Sequence, residues 1–126
     1  MVIFMIYGIG MDMIELSRIE SSVKKEGFLE KIFAKDEIES FFEKPGGEIK
    51  LAGCFAAKEA LSKALGTGFR GFWYNEISVL RDELGKPYFK LNDRAKTVVD
   101  ELNVNLFVTI TNTKDYAAAV VVLEVA

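Results

Sequence analysis

The stretch Cys54-Phe-Ala-Ala-Lys-Glu-Ala-Leu-Ser-Lys-Ala-Leu-Gly-Thr-Gly68 constrains this chain more than any other. Ala, Leu, Lys and Glu are strong helix formers, and no proline interrupts them, so the run predicts a long helix over about residues 49–65. Gly66 and Gly68 then offer the left-handed backbone that ends a helix. On a helical wheel Cys54, Ala57, Leu61, Ala64 and Leu65 share one side, an ordinary core stripe. The opposite side holds Ala52, Phe55, Ala56, Glu59, Ser62, Lys63 and Gly66, which is small and mostly apolar yet carries two charges at i, i+4. A helix apolar nearly all round is buried or lies at an interface. Glu59 and Lys63 are then either sheltered charges that must be paired or bind something charged, or a plain surface ion pair of the favoured polarity.

At 126 residues the chain is expected to form a single domain, residues 1–126, large enough to bury a core without staples. Half of its residues are hydrophobic, which implies a generous core or an oligomer interface. A net charge of -3 gives no basic footprint for nucleic acid. The one cysteine cannot form an internal disulfide and lies on the core face of the helix, as a structural thiol does. No run is apolar for long enough to span a bilayer and no signal peptide is evident, so the expected setting is cytoplasmic, with no membrane partner. Histidine is absent. That removes imidazole bases, His-based triads and His-bearing zinc sites, and leaves carboxylates, lysines, hydroxyls, backbone dipoles or a hard metal ion for any catalysis.

Residues 2–14 read as a strand with glycines at 8 and 10. Gly8 and Gly10 share a parity with Asp12, so one side of this strand is bare until a carboxylate appears, and bare strand glycines mark close approach of another backbone or a ligand. Asp12 has two readings: a strand-ending residue bonding a nearby N–H, or a metal- or phosphate-linked carboxylate. A helix follows with Ser17 as its expected N-cap and Glu20 completing a capping box, stopping near Gly27. Phe28 to Phe33 gives a short amphipathic segment, and 35–42 a short helix with Ile38, Phe41 and Phe42 inward. Lys44-Pro-Gly-Gly-Glu48 is a break before the long helix. Residues 69–74 read as an aromatic loop, 75–81 as a strand, and 86–91 as an edge strand because of Pro87. Asn92 caps a helix over 93–102 with Ala95, Val98, Val99 and Leu102 inward. Strands over 105–111 and 116–125 form a hairpin, and the second, apolar on both faces, belongs at a sheet centre. The fold class is α+β, a mainly antiparallel sheet packed on one side against a long helix and several short ones.

Asp12, Glu59 and Lys63 form the chemically informative set. Two sheltered carboxylates suit magnesium, which keeps waters and completes its shell with substrate phosphates. A lysine one turn from Glu59 reaches the same phosphates as a point charge. Gly66-Thr-Gly68 follows a helix rather than preceding one, so it is no P-loop, and the helix C-terminus repels anions. From these residues alone the reading is a magnesium-dependent domain acting on a phosphate ester or anhydride.

These residues also match a family. Gly8-Ile-Gly-Met-Asp12-Met-Ile-Glu15-Leu-Ser-Arg18-Ile19 resembles the N-terminal motif of the holo-[acyl-carrier-protein] synthases, the short phosphopantetheinyl transferases. Phe55-Ala-Ala-Lys58-Glu59-Ala-Leu-Ser-Lys63-Ala-Leu-Gly-Thr-Gly68 is similar to their second motif almost letter for letter, and Leu84-Gly-Lys-Pro87 and Thr109-Ile-Thr-Asn-Thr-Lys-Asp-Tyr-Ala117 follow in order. The resemblance implies the 4′-phosphopantetheinyl transferase fold, assembled as a homotrimer with sites between subunits. It implies transfer of 4′-phosphopantetheine from coenzyme A to a serine of apo acyl carrier protein, releasing 3′,5′-ADP, in fatty acid biosynthesis. Asp12 and Glu59 match the magnesium ligands, and Glu59 or a metal-held water the group that takes the serine proton. Lys63 matches the lysine that neutralises phosphate charge and protonates the leaving group. Gly66, Gly68 and Pro87 match the coenzyme A groove, and residues 109–113, including Asn112 and Thr113, a strand end near the neighbouring subunit's nucleotide. Arg18 matches a residue that meets the acidic carrier protein.

Three departures stand out. Asn112 replaces a histidine usual in the family, Met11 stands where threonine is frequent, and residues 1–4 precede the usual start, which leaves Met1 and Met5 as alternative initiators. The competing reading is a non-catalytic oligomer that binds coenzyme A or a nucleotide.

Overall fold

A computed structural model describes residues 5–126. The strand start expected at Val2 therefore lies outside the described residues. The last strand, β5 (Tyr116–Val125), occupies the middle of a three-stranded sheet ordered β1-β5-β4, with β1 spanning Ile6–Glu15 and β4 Val104–Asn112. Both pairings are antiparallel. Its doubly apolar pattern has the expected cause on the inner face, where Ala117, Ala119, Val121 and Leu123 are buried. The strands β2 (Ile77–Arg81) and β3 (Pro87–Leu91) form a separate antiparallel ribbon, so the pairing is divided between two sheets. Pro87 opens β3, where a missing N–H does least harm.

Among the described residues there are one long helix and four short ones. They are α1 (Leu16–Ser22), α2 (Phe28–Ile32), α3 (Lys35–Phe41) and α5 (Asp93–Glu101), and the long helix is α4 (Gly47–Leu65), which ends at Gly66 in the left-handed region (φ 78°). The capping expectations need correction. Ser17 lies inside α1, whose N-cap is Glu15. β1 stays paired through Glu15 to Tyr116, and the Leu16 N–H donates to the Asp115 carbonyl at 2.8 Å, so α1 starts before Ser17, which lies in its first turn. Asn92 does sit at the N-cap of α5 but makes no side-chain cap bond. There Glu76 Oε1 accepts from the Arg94 and Ala95 N–H groups at 2.9 and 3.2 Å. In the same helix Leu102, expected inward, falls just past the last turn at 36% exposure, whereas Ala95 and Val99 are buried.

α4 lies across the sheet and is buried on almost every side, from Leu51 through Leu65. It approaches β1 unusually closely. A Cβ on Gly8 would fall 1.9 Å from the Ala64 carbonyl oxygen, and one on Gly10 would fall 1.8 Å from that of Ala60. The bare side of the strand thus receives the helix backbone itself. A Gly10→Ala substitution is expected to force strand and helix apart and to destabilise by about 3 kcal/mol or more, above the usual overpacking range, because the obstacle is main chain rather than a movable side chain. Urea unfolding measures this; a loss below about 1 kcal/mol would mean the two elements separate easily.

Among the described residues nothing covers the other face of the sheet. Ile9, Val122 and Phe107 stand side by side across its three strands. Tyr7, Ile9, Met11, Met13 and Phe107 are 44% to 64% exposed. This row is where the surplus of hydrophobic residues goes.

Candidate active site

Asp12 is the next residue of its parity beyond Gly10, so its side chain emerges on the α4 side of β1. It is met there by Lys63, whose Nζ donates to Asp12 Oδ1 at 3.2 Å and to the Met11 carbonyl at 3.0 Å. The Asp12 side chain is one-fifth exposed and that of Lys63 just over half, so the pair sits at the rim of the helix–strand seam. Glu59, one helical turn before Lys63, does not pair with it. Its Oε1 accepts a hydrogen bond from the Tyr74 hydroxyl. The surface-pair reading of Glu59 and Lys63 is therefore replaced by two different partnerships, each reaching to another element. Burial pushes the Tyr74 hydroxyl well above its ordinary value, and the bond to Glu59 and the charges of Glu59 and Asp12 push in the same direction.

Behind this cluster lies a buried ion pair that sequence reasoning missed. Lys58 and Glu37 are both fully buried. Lys58 Nζ donates to Glu37 Oε1 at 2.5 Å, to the Ile32 carbonyl at 2.8 Å and to the Tyr74 carbonyl at 3.1 Å. Glu37 also accepts from the Ala34 and Val79 N–H groups, each at 2.9 Å. Burial raises the Glu37 pKa and lowers that of Lys58, while the attraction between them opposes both shifts. One pair thereby ties α2, α3, α4, β2 and the 3-10 turn Tyr74–Glu76 together. The signal was present: Lys58 follows Cys54 by four residues and precedes Leu61 by three, a core position. The inward face of α3 needs a matching correction, since Phe41 is buried as expected but Ile38 and Phe42 are only half-buried, and Glu37 goes deepest. Cys54 is buried with its thiol facing the Val79 carbonyl at 3.5 Å, and burial raises its pKa, so it is a core residue rather than a nucleophile.

The remaining candidates occupy other elements and make no bond to this cluster. Gly66 and Gly68 both adopt positive φ just past α4. Asn112 ends β4 and is exposed, its Nδ2 donating to the Thr113 carbonyl at 3.5 Å. Thr113 Oγ1 accepts from the Asp115 and Tyr116 N–H groups and shapes the hairpin turn. Arg18 is exposed on α1, lining a shallow hollow with Ser17, Ser21, Ser22 and Lys25.

Among the described residues no three His, Cys, Asp or Glu side chains converge to enclose a metal. Asp12 and Glu59 offer hard carboxylate oxygens beside the same tyrosine, a donor set suited to a hard cation that takes the rest of its shell from water and substrate phosphate.

A profile of the 4′-phosphopantetheinyl transferase superfamily matches residues 8–121. The chain belongs to this superfamily. Its members include a holo-[acyl-carrier-protein] synthase of Clostridium botulinum (strain Eklund 17B / Type B), to which the chain is 43% identical over 122 residues, covering 96% of this chain and 99% of that one. The crystal structure of the synthase from Neisseria meningitidis superposes with a TM-score of 0.86 at 36% identity, covering 94% of this chain and 98% of that one. The Bacillus anthracis synthase, solved in complex with coenzyme A (3′,5′-ADP), superposes with a TM-score of 0.81 at 36% identity, covering 97% and 99%. The phosphopantetheinyl transferase fold thus accounts for the α+β layout, and the Asp12–Lys63 and Glu59–Tyr74 partnerships lie within the matched region. No helix among the described residues is long and apolar enough to cross a membrane.

Proposed function

We propose that the protein transfers 4′-phosphopantetheine from coenzyme A to a serine of apo acyl carrier protein, releasing 3′,5′-ADP. The observation that carries this reading is the Asp12–Lys63 bond, with Glu59 one helical turn before Lys63 and held by Tyr74, in a chain of the 4′-phosphopantetheinyl transferase superfamily. Asp12 and Glu59 would hold magnesium, which would supply positive charge against the pyrophosphate of coenzyme A. The free oxygen of Glu59 takes the proton of the serine hydroxyl, directly or through a water, as the serine oxygen attacks phosphorus. The phosphoanhydride bond to 3′,5′-ADP breaks, and Lys63 offsets charge on the departing phosphate and gives it a proton. In phosphoryl transfer most of the protein's work is placement and charge, which suits a site without histidine. Gly66, Gly68 and Pro87 line the coenzyme A groove, and Arg18 on exposed α1 meets the acidic carrier.

The same reading makes the protein a homotrimer in the cytoplasm, a single domain per chain, with sites between subunits. The exposed apolar row of the sheet is the surface that packs against the other copies, and it supports this because contiguous apolar faces of that kind rarely stay in water. Asn112 and Thr113 of one copy then lie near the nucleotide bound by the next.

Intact-mass spectrometry of apo acyl carrier protein incubated with this protein, coenzyme A and magnesium tests the reading. The expected result is a gain of one phosphopantetheine group that EDTA prevents. No gain across several carriers, with coenzyme A still bound, would favour the binding-only alternative, for which Asn112 in place of the family histidine is the one supporting feature.

A further inference from the structure

Tyr74 has no assigned part in the transfer chemistry, yet its hydroxyl donates to Glu59 Oε1. No other hydrogen bond reaches the Glu59 carboxylate among the described residues, so one oxygen is committed and the other is free. The tyrosine is itself held firmly. Its ring stacks on Phe55 at 6.3 Å between centroids and meets Phe69 and Trp73 edge-on at 4.7 and 5.0 Å. Its carbonyl accepts from the buried Lys58 ammonium at 3.1 Å, and Lys58 is fixed in turn by Glu37 and the Ile32 carbonyl. The preceding Trp73 N–H donates to Glu76 Oε2 at 2.8 Å, which ties down the turn. Lys58 and Glu59 are adjacent in α4, so the helix grips both ends of one residue: Lys58 its main chain, Glu59 its hydroxyl.

The geometry points to Tyr74 as a positioning residue that fixes the Glu59 carboxylate through Oε1 and presents Oε2 alone to the metal and the serine proton. The inference rests on the proposed role of Glu59 as a metal ligand. Partners that orient a ligating side chain commonly matter as much as the ligand, because a carboxylate free to rotate must be ordered each time the cation binds. Glu59 is a flexible side chain on a half-buried helix face, and Lys63, its i+4 neighbour, is engaged elsewhere. Without the hydroxyl nothing among the described residues holds it.

The test is Tyr74→Phe, which keeps the ring packing and removes one oxygen atom, with the exposed Tyr88→Phe as control. Mn2+ binding is followed by electron paramagnetic resonance in the presence of coenzyme A without carrier protein, so that no turnover intervenes. Tyr74→Phe is expected to raise the Mn2+ Kd about tenfold, at the lower end of what such partners contribute. The magnesium concentration for half-maximal transfer should rise by the same factor, with the KM for coenzyme A at saturating magnesium within about twofold of wild type and kcat lowered. Far-UV circular dichroism and Tm should stay unchanged, and Tyr88→Phe should behave as wild type. An Mn2+ Kd and magnesium dependence within about twofold of wild type in Tyr74→Phe overturns the inference. A wild-type protein that binds Mn2+ but modifies no carrier refutes the transfer reading instead, and the Mn2+ comparison still decides the role of Tyr74.

Discussion

Replacing Glu59 with glutamine is expected to lower phosphopantetheine transfer by about 10²–10⁴-fold, the span associated with losing a positioned general base, with loss of a metal ligand pushing toward the upper end. The substitution preserves shape. Glutamine still offers a carbonyl oxygen to the Tyr74 hydroxyl, so the side chain keeps its place while losing the charge that binds a cation and accepts a proton. Glu59 is half-buried and has no ion-pair partner among the described residues, so stability should hardly change. Initial rates of carrier modification, read with the thermal unfolding midpoint, check both halves of the statement. Near-normal turnover would remove Glu59 from the chemistry and transfer the burden to Asp12.

The second large effect concerns stability. Replacing Glu37 with alanine should destabilise by about 3–5 kcal/mol, the usual result of leaving one partner of a buried ion pair uncompensated. Lys58 would keep only two carbonyl acceptors in a fully buried position, and the Ala34 and Val79 N–H groups would lose theirs. Urea unfolding at fixed protein concentration measures it, since any assembly couples stability to concentration. A change under about 1 kcal/mol would show that water enters and solvates Lys58.

The two predictions separate what the sequence displayed from what it concealed. The long helix, the central last strand and the arrival of Asp12 on the α4 side of β1 were legible because each rests on a local pattern: helix-forming composition with a glycine stop, an uninterrupted apolar run, and glycines sharing parity with a carboxylate. The family motifs then supplied the chemistry. Partner choice was not legible. Lys63 turns to Asp12, 51 residues away in the chain, rather than to Glu59 one turn back, because β1 is pressed against α4 at that level. Lys58 falls at a core position of its helix, but Glu37 lies 21 residues away in another helix, and only the tertiary fold sets one opposite the other. Ser17 failed as a cap because the pairing of β1 through Glu15 and the Leu16 bond to Asp115 set the start of α1 before it. Tyr74 sat unnoticed in an aromatic loop whose sequence gives no hint that one ring carries its oxygen to a carboxylate.

The glycine contact between β1 and α4 has a consequence for how variants of this protein should behave. Two residues of strand rise about 6.8 Å and four residues of helix about 6.0 Å, so Gly8 against Ala64 and Gly10 against Ala60 act as successive marks on two nearly matched rulers. The offset between the Asp12 and Glu59 backbones is therefore gauged by main-chain atoms in contact, not by the volume of the side chains filling the rest of the core. Substitutions elsewhere in that core should change how many molecules are folded, yet each folded molecule should work at the native rate. Robustness and turnover become separately adjustable quantities in this protein.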